Sequence, residues 1–146
     1  MAAQITTALA EVATVWEAVT PPDRTGLSFR RLATGQTLDG VSQDRVFTFG
    51  TPKRAKLTIG NDNVSLVLWE VEARVRLSGS GRDADDLTAE YLDVTQALNA
   101  ALEANGGAWA ESLTVLTSDT ELEDRDDEGA PPVAVVRLSV ETWESY

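Results

Sequence analysis

The stretch LVLWEVEARVRLSGSGRDADDL, residues 66–87, decides the fold of this chain. Apolar and polar residues alternate through its first half, and this period of two predicts one long, half-buried strand over residues 65–78. The polar side of that strand presents a row of charges of both signs, namely Glu70, Glu72, Arg74 and Arg76. Such a row suits contacts with a neighbouring strand or with a second subunit.

The second half of the stretch predicts a glycine turn leading into a helix over residues 84–104. Asp83 is the expected N-cap, and Asn105-Gly106-Gly107 is expected to end the helix. A phosphate-binding turn would need a GK[ST] ending or a G-x-G-x-x-G pattern, and GSGRDADDL has neither. Three aspartates at the helix start would also repel a phosphate. We therefore expect an ordinary capped turn here, and no active site.

The rest of the chain predicts a second helix and several shorter strands. Ile5, Leu9, Val12, Trp16 and Val19 share one helical face, so a helix is expected at about residues 3–19. A loop-rich hairpin region follows at 23–64, with short strands at 27–32, 45–49 and 55–59 and a turn at 60–63. Two C-terminal strands are expected at 112–118 and 133–143, on either side of an acidic loop.

These elements together predict a single α+β domain over residues 1–146. We expect a mixed, mostly antiparallel sheet with two helices packed on one face. A chain of this length is long enough to bury a substantial core.

Histidine and cysteine are both absent from the sequence. Their absence removes the commonest general base, the commonest transition-metal ligand and the thiol nucleophile. An enzyme would have to rely on carboxylates, lysine, tyrosine or serine. The candidate carboxylate pairs are Glu70 with Glu72 and Asp119 with Glu121, but each pair merely shares one side of a strand. We expect no catalytic residues, no metal and no cofactor. No apolar run approaches the roughly 20 residues of a membrane span, so no membrane contact is expected either.

The net charge of −12 is unevenly distributed along the chain. Basic residues are concentrated in the middle of the sequence, and those expected to form a surface are Arg30, Arg31, Lys53, Arg54 and Lys56. Acidic residues are concentrated in the late loop, at Asp119, Glu121, Glu123, Asp124, Asp126, Asp127 and Glu128. Two solvated loops would explain this pattern, and so would a head-to-tail oligomer in which the basic surface of one subunit meets the acidic loop of the next.

The order and pattern of the elements resemble the tail terminator proteins of long-tailed bacteriophages. The resemblance rests on WEVEARVRLSGSGRDADDLTAEYLDVTQALNAAL and on the acidic DTELEDRDDEGAPP that precedes VAVVRLSVETWESY. It implies a structural virion protein, assembled in the host cytoplasm, that forms a hexameric ring at the head-proximal end of the tail tube. Neck and tail-completion proteins look similar at this level.

Membership of this family would imply three partners: further copies of the chain, the tail tube protein and a neck or head-completion protein. DNA would pass through the ring without specific binding, because an acidic lining repels phosphates. The acidic residues at 119–128 would then lie at a subunit interface or toward the lumen. A small soluble binding module and an enzyme that uses only carboxylates remain as alternatives from other classes.

Overall fold

The computed structural model describes residues 4–20, 28–33, 35–38, 44–59, 64–78, 84–109, 114–123 and 131–145. Two helices lie within these ranges, α1 (Gln4–Glu17) and α2 (Ala84–Ala104). The strands are β1 (Arg30–Arg31), β2 (Val46–Phe49), β3 (Lys53–Ile59), β4 (Val64–Arg76), β5 (Thr114–Glu123) and β6 (Val133–Ser145). None of the helices in the described part of the chain is long and apolar enough to cross a membrane.

The long strand β4 lies at the centre of a six-stranded sheet. It pairs antiparallel with β6 along its whole length, from Val64 opposite Ser145 to Arg76 opposite Val133. On its other edge β4 pairs with β3 near its start and with β2 near its end. β5 lies beyond β6, so the main path of the sheet is β1-β2-β4-β6-β5. Among the described strands, only β1 and β2 run parallel, which confirms a mixed, mostly antiparallel sheet.

Both helices pack on one face of this sheet, as predicted. Alternate residues of the two central strands are buried there, with Val71, Ala73 and Val75 on β4 opposite Leu138, Val136 and Ala134 on β6. The helices contribute their apolar stripes, Ile5, Leu9, Val12 and Trp16 from α1 and Leu87, Val94, Leu98 and Leu102 from α2. Full burial of one such large aliphatic side chain stabilises a fold by about 1.5–3 kcal/mol.

Trp16 joins the two helices and the sheet at one point of the core. Its ring is fully buried, meets the edge of Phe47 at a centroid distance of 5.2 Å and stacks on Phe49 at 5.7 Å. Its indole N–H donates to the carbonyl of Leu98 at 3.3 Å. A buried tryptophan needs such an acceptor, and this one comes from α2, so the bond fixes α1 against α2.

The predicted boundaries are confirmed for α2 and need correction elsewhere. The strand predicted at 65–78 ends at Arg76, and only Arg30 and Arg31 of the predicted strand at 27–32 pair as a strand. The acidic loop expected from residue 119 onward was wrong for residues 119–123, because β5 continues to Glu123. Those residues pair with β6, where Arg137 lies opposite Asp119. The predicted N-cap Asp83 and the turns at 60–63 and 79–81 lie outside the described residues.

A second, smaller core lies on the sheet face away from the helices. Val133 and Val135 of β6 are buried there with Val46 and Leu38, and Leu32 packs against them. The segment after β1 therefore covers this end of the sheet. The neighbouring residues of the same face lack such a cover within the described chain, and they carry the charges considered next.

Candidate functional site

The sheet face opposite the helices carries a cluster of charged side chains. Side chains alternate along a strand, so Glu72 and Arg74 of β4 point away from the buried Val71 and Ala73. The pairing places Glu72, Arg137 and Asp119 side by side on three adjacent strands. We call this side of the sheet the open face, since no described helix covers it.

Arg137 is at the centre of this cluster. Its guanidinium donates to Glu121 at 2.7 Å and to Asp119 at 3.1 Å, and it lies 3.5 Å from Glu72. The hydrogen bond to Glu121 raises the pKa of Arg137 above its usual value; desolvation opposes this rise, and the charges of the three carboxylates support it. Arg137 therefore holds together carboxylates from both of its neighbouring strands.

Arg74 forms the other half of the cluster. It donates to Glu123 at 2.5 Å and to Glu72 at 2.9 Å. Glu72 is thus shared by Arg74 and Arg137. We call this set the charged cluster, made up of Glu72, Arg74, Asp119, Glu121, Glu123 and Arg137. Four carboxylates and two guanidinium groups leave it with a net charge of −2, so its acidic side chains are only partly neutralised within the chain.

The row of charged residues predicted on β4 lies on the open face, as the alternation of apolar and polar residues along that strand required. Glu70 is exposed, Glu72 and Arg74 belong to the charged cluster, and Arg76 is half-buried. The Arg76 Nε and Nη1 atoms are buried without a hydrogen-bond partner among the described residues. Only two of the four predicted residues, Glu72 and Arg74, therefore enter the ionic contacts of the cluster.

The predicted acidic and basic sets lie at opposite edges of the sheet. Asp119, Glu121 and Glu123 are on the outer strand β5, whereas Asp124, Asp126, Asp127 and Glu128 lie outside the described residues. On the other side of the sheet, Arg30 and Arg31 form β1, and Lys53, Arg54 and Lys56 are on β3. The structure thus places the two described sets on one sheet and separates them by the central strands β4 and β6.

Two of the basic side chains are fixed by aromatic rings. The Arg31 guanidinium lies 5.1 Å from the centre of the Phe49 ring, and that of Arg54 lies 5.4 Å from the Trp69 ring. Cation–π contacts at exposed positions contribute about 0.5–1 kcal/mol each. Lys53 and Lys56 are exposed on β3, which leaves their ammonium groups accessible from outside the sheet.

One end of the open face is apolar. Leu66 and Trp143 are paired across β4 and β6, and Leu68 and Leu116 point to the same side. Trp143 is 48% exposed and Leu116 is 56% exposed, values that stand apart from the buried apolar residues of the helix-covered face. Exposed apolar residues grouped beside charges are typical of surfaces that contact another protein.

A shallow depression of about 430 Å³ lies between the charged cluster and β3. Its lining includes Thr51, Lys53, Glu70, Asp119 and Arg137. The depression offers groups of both charges but no enclosed apolar wall. Because ligand pockets are usually concave and mostly apolar, the depression differs from a typical ligand pocket.

Sequence reasoning missed a buried ionic group at the other side of the fold. Arg45, whose φ is 63°, donates to Glu90 of α2 at 2.5 Å, and both side chains are 1% exposed. The hydroxyl and the amide of Ser78 also donate to Glu90. Burial alone would raise the pKa of Glu90, but the hydrogen bonds from Ser78 and Arg45 outweigh it and hold that pKa below its ordinary value. The sequence did contain one sign that Glu90 is buried: it follows Leu87 by three residues and so lies on the apolar stripe of α2.

The described residues contain no group of three or more acidic side chains arranged to hold a metal ion. The paired carboxylates Asp119 and Glu121 both bind Arg137. No protein-family profile matches the chain, and no curated protein matches its sequence. The functional argument therefore rests on the geometry of the open face and the sheet edges.

Proposed function

We propose that this chain is a structural ring subunit of a bacteriophage tail or a tail-like particle. The ring, a hexamer, would cap the head-proximal end of the tail tube, end its growth and join the tail to the head. The observation that carries the proposal is the open face, in which a charged cluster adjoins exposed Leu116 and Trp143 while both helices pack on the opposite side. Such a face is suited to assembly contacts.

The chemistry of this surface favours assembly over catalysis. Arg137 and Arg74 occupy the carboxylates nearest to them, so those side chains are held in fixed positions by charge-assisted hydrogen bonds. A fixed pattern of charge gives register and partner choice to a protein contact, even where it adds little affinity. The tail tube protein and a neck or head-completion protein are the partners that such a ring requires.

Strong negative charge also fits a channel for DNA. The chain carries 24 acidic against 12 basic residues. Lysine and arginine contacts to phosphates hold a duplex and release counterions, whereas an acidic surface repels it. A ring built from this chain would let DNA slide through its lumen instead of gripping it.

Light scattering coupled to gel filtration, together with negative-stain imaging, tests the proposal. Six copies of the 15.7 kDa chain give a ring of about 94 kDa. We expect that mass at high protein concentration, and ring-shaped particles with a central hole. We also expect no electrophoretic retardation of a double-stranded DNA fragment at low salt. A chain that stays monomeric at every concentration, or that binds the duplex tightly, would contradict the proposal.

The depression beside Lys53 supports a second candidate, a small binding module. Its lining includes both acidic side chains, Glu70 and Asp119, and basic ones, Lys53 and Arg137, and such a lining suits a small zwitterionic or charged ligand. A monomer whose thermal stability rises with a charged small molecule would favour this candidate over the ring, because a ligand that binds only the folded state stabilises it.

A further inference from the structure

The two edges of the sheet carry opposite charges. β3 and β1, on one side of β4, present Lys53, Lys56 and the exposed pair Arg30 and Arg31. β5, on the far side of β6, presents Asp119 and its acidic neighbours. β4 and β6 lie between the two edges, so β3 and β5 of one copy do not pair with each other. Strand-to-strand pairing of the basic edge with an acidic edge therefore requires a second molecule.

The edge strands β3 and β5 each have an unpaired outer side within the described chain. β3 pairs with β4 alone, and β5 pairs with β6 alone. The backbone N–H and C=O groups on the outer side of an edge strand are a ready template for another strand. Two edges of one sheet therefore offer backbone hydrogen bonds as well as charges to a neighbour.

The strand directions suit such a pairing. β3 runs antiparallel to β4, whereas β5 runs antiparallel to β6 and thus in the direction of β4. If the sheet of one copy continues into the sheet of the next, β5 of the first meets β3 of the second in antiparallel orientation. Antiparallel pairing is the slightly more stable of the two arrangements.

The charges across the open face alternate in sign from strand to strand. Glu72 on β4, Arg137 on β6 and Asp119 on β5 form one row, negative, positive and negative. The next strand in this series would have to present a cation to Asp119 and Glu121. These carboxylates are 60% and 54% exposed despite their contacts with Arg137, so they can accept a second partner.

β3 presents cations on the same face. Lys53 is paired with Glu70 and Lys56 with Leu68, and both of those partners point to the open face. The pairing of β3 shifts between Arg54 and Lys56, and this irregularity brings Lys53 and Lys56 to the same side although they are three residues apart. A similar shift between Thr117 and Asp119 aligns the acidic residues of β5 with the open face.

We infer that β5 of one copy pairs with β3 of a second copy, with Asp119 and Glu121 facing Lys53 and Lys56 of the neighbour. The contact is head-to-tail, because its two halves are different surfaces of the same chain, and such contacts close into rings when the rotation between copies allows. The inference rests on the proposed function for the size of the ring, but it specifies which surfaces join the copies.

Two charge-reversal variants and their mixture test this contact. K53E/K56E has two acidic edges, and D119K/E121K has two basic edges, so each alone should remain a 15.7 kDa monomer by light scattering. In an equimolar mixture, every β5 edge of one variant meets a complementary β3 edge of the other. The mixture should therefore recover the mass of the wild-type assembly, with the two variants alternating around it. Circular dichroism of each variant establishes that it is folded.

A matched control changes the same amount of charge away from the edges. Asp93 and Glu103 are exposed on α2, so D93K/E103K alters the net charge as much as D119K/E121K does. This control should keep the mass of the wild-type assembly. Loss of assembly in the control as well would mean that net charge, and not the paired edges, governs association.

The possible results distinguish a failure of the β3–β5 contact from a failure of the proposed ring function. Wild-type rings that survive both reversals would overturn the β3–β5 contact and leave the ring proposal standing. Folded variants that fail to assemble alone and also fail in the mixture would overturn the contact as well. Wild-type protein that never self-associates would overturn both proposals, and assembly through this contact into open filaments would support the contact while contradicting the ring.

Discussion

In the described part of the chain, the buried Arg45–Glu90 pair and the charged cluster around Arg137 differ in burial more than in chemistry. Arg45 and Glu90 form a pair in which each side chain is 1% exposed, whereas Arg137 contacts three carboxylates and remains 37% exposed. Burial, and not the number of ionic contacts, decides what each group does for the fold, because water can replace any partner of Arg137 and none of the partners of Glu90.

Burial also separates the two clusters by role. A buried charge must keep its partner, so the Arg45–Glu90 pair constrains where α2 meets the strands and offers nothing to solvent. The charged cluster on the open face constrains the fold little and remains accessible. We therefore expect mutations in the Arg45–Glu90 pair to change stability and mutations in the charged cluster to change association.

The largest effect is expected from E90Q. The substitution removes the Glu90 carboxylate from the buried Arg45 guanidinium, which keeps Asp44 at 3.9 Å. Removal of one partner of a buried pair typically costs about 3–5 kcal/mol. The free energy of unfolding, measured with urea, should fall by an amount of that order.

The double variant R45M/E90Q is the control for this loss. It removes both charges, and the glutamine amide oxygen still accepts from Ser78, so much of the stability should return. The loss in E90Q would then come from the buried charge of Arg45 without the Glu90 carboxylate beside it. If E90Q costs under about 1 kcal/mol, or if the double variant is no more stable than E90Q, the buried pair is not the constraint described here.

The next effect is a dependence of stability on pH that Glu90 should supply. Its pKa in the folded protein lies below the ordinary value of 4.5, because hydrogen bonds from Ser78 and Arg45 outweigh the effect of burial. Its contribution to stability is therefore complete above pH 4.5. Below that pH the contribution is lost progressively, since the unfolded chain takes up the proton first.

Urea unfolding of the wild type and of E90Q at a series of pH values measures this contribution. The difference between the two proteins should be constant above pH 4.5 and shrink below it. A difference that grows as the pH falls would mean that the pKa of Glu90 is raised in the folded protein.

The sequence predicted the open face better than the buried pair. Alternation along β4 requires Glu72 and Arg74 to share a side, whatever the rest of the chain does. No pattern required Glu90 to meet Arg45, because the two are 45 residues apart and Glu90 could have met another of the basic residues. Local periodicity fixes the direction of a side chain, whereas its partner depends on the tertiary fold.

The same reasoning explains the error in β5. Asp and Glu are depleted in strands, so residues 119–123 looked like the start of a loop. In the folded protein Arg137 of β6 neutralises part of their charge, and cross-strand pairs of opposite charge favour a sheet. The end of α2, by contrast, was predictable because its apolar stripe stops where Asn105 and Gly106 follow.

A smaller effect is expected from R137A. The side chain is well exposed, so its three carboxylates become hydrated when it is removed, and exposed ion pairs contribute little to stability. The midpoint of thermal unfolding should fall by no more than about 4 °C at low salt. In 1 M NaCl, where charges are screened beyond about 3 Å, the difference from the wild type should narrow further. A larger fall in the unfolding midpoint that persists in salt would mean that Arg137, like Arg45, is needed for the stability of the fold.

The smallest effect on stability is expected from L116S. Leu116 is 56% exposed on β5, so its substitution removes little buried apolar area and should change the free energy of unfolding by less than about 0.5 kcal/mol. The contrasting variant is L98A, because Leu98 is fully buried on α2 and its truncation should cost about 2–5 kcal/mol. A cost for L116S close to that of L98A would mean that the apolar end of the open face is covered within the chain. A negligible cost would mean that the fold does not need a large apolar side chain at this position, which leaves Leu116 free to serve a contact with another molecule.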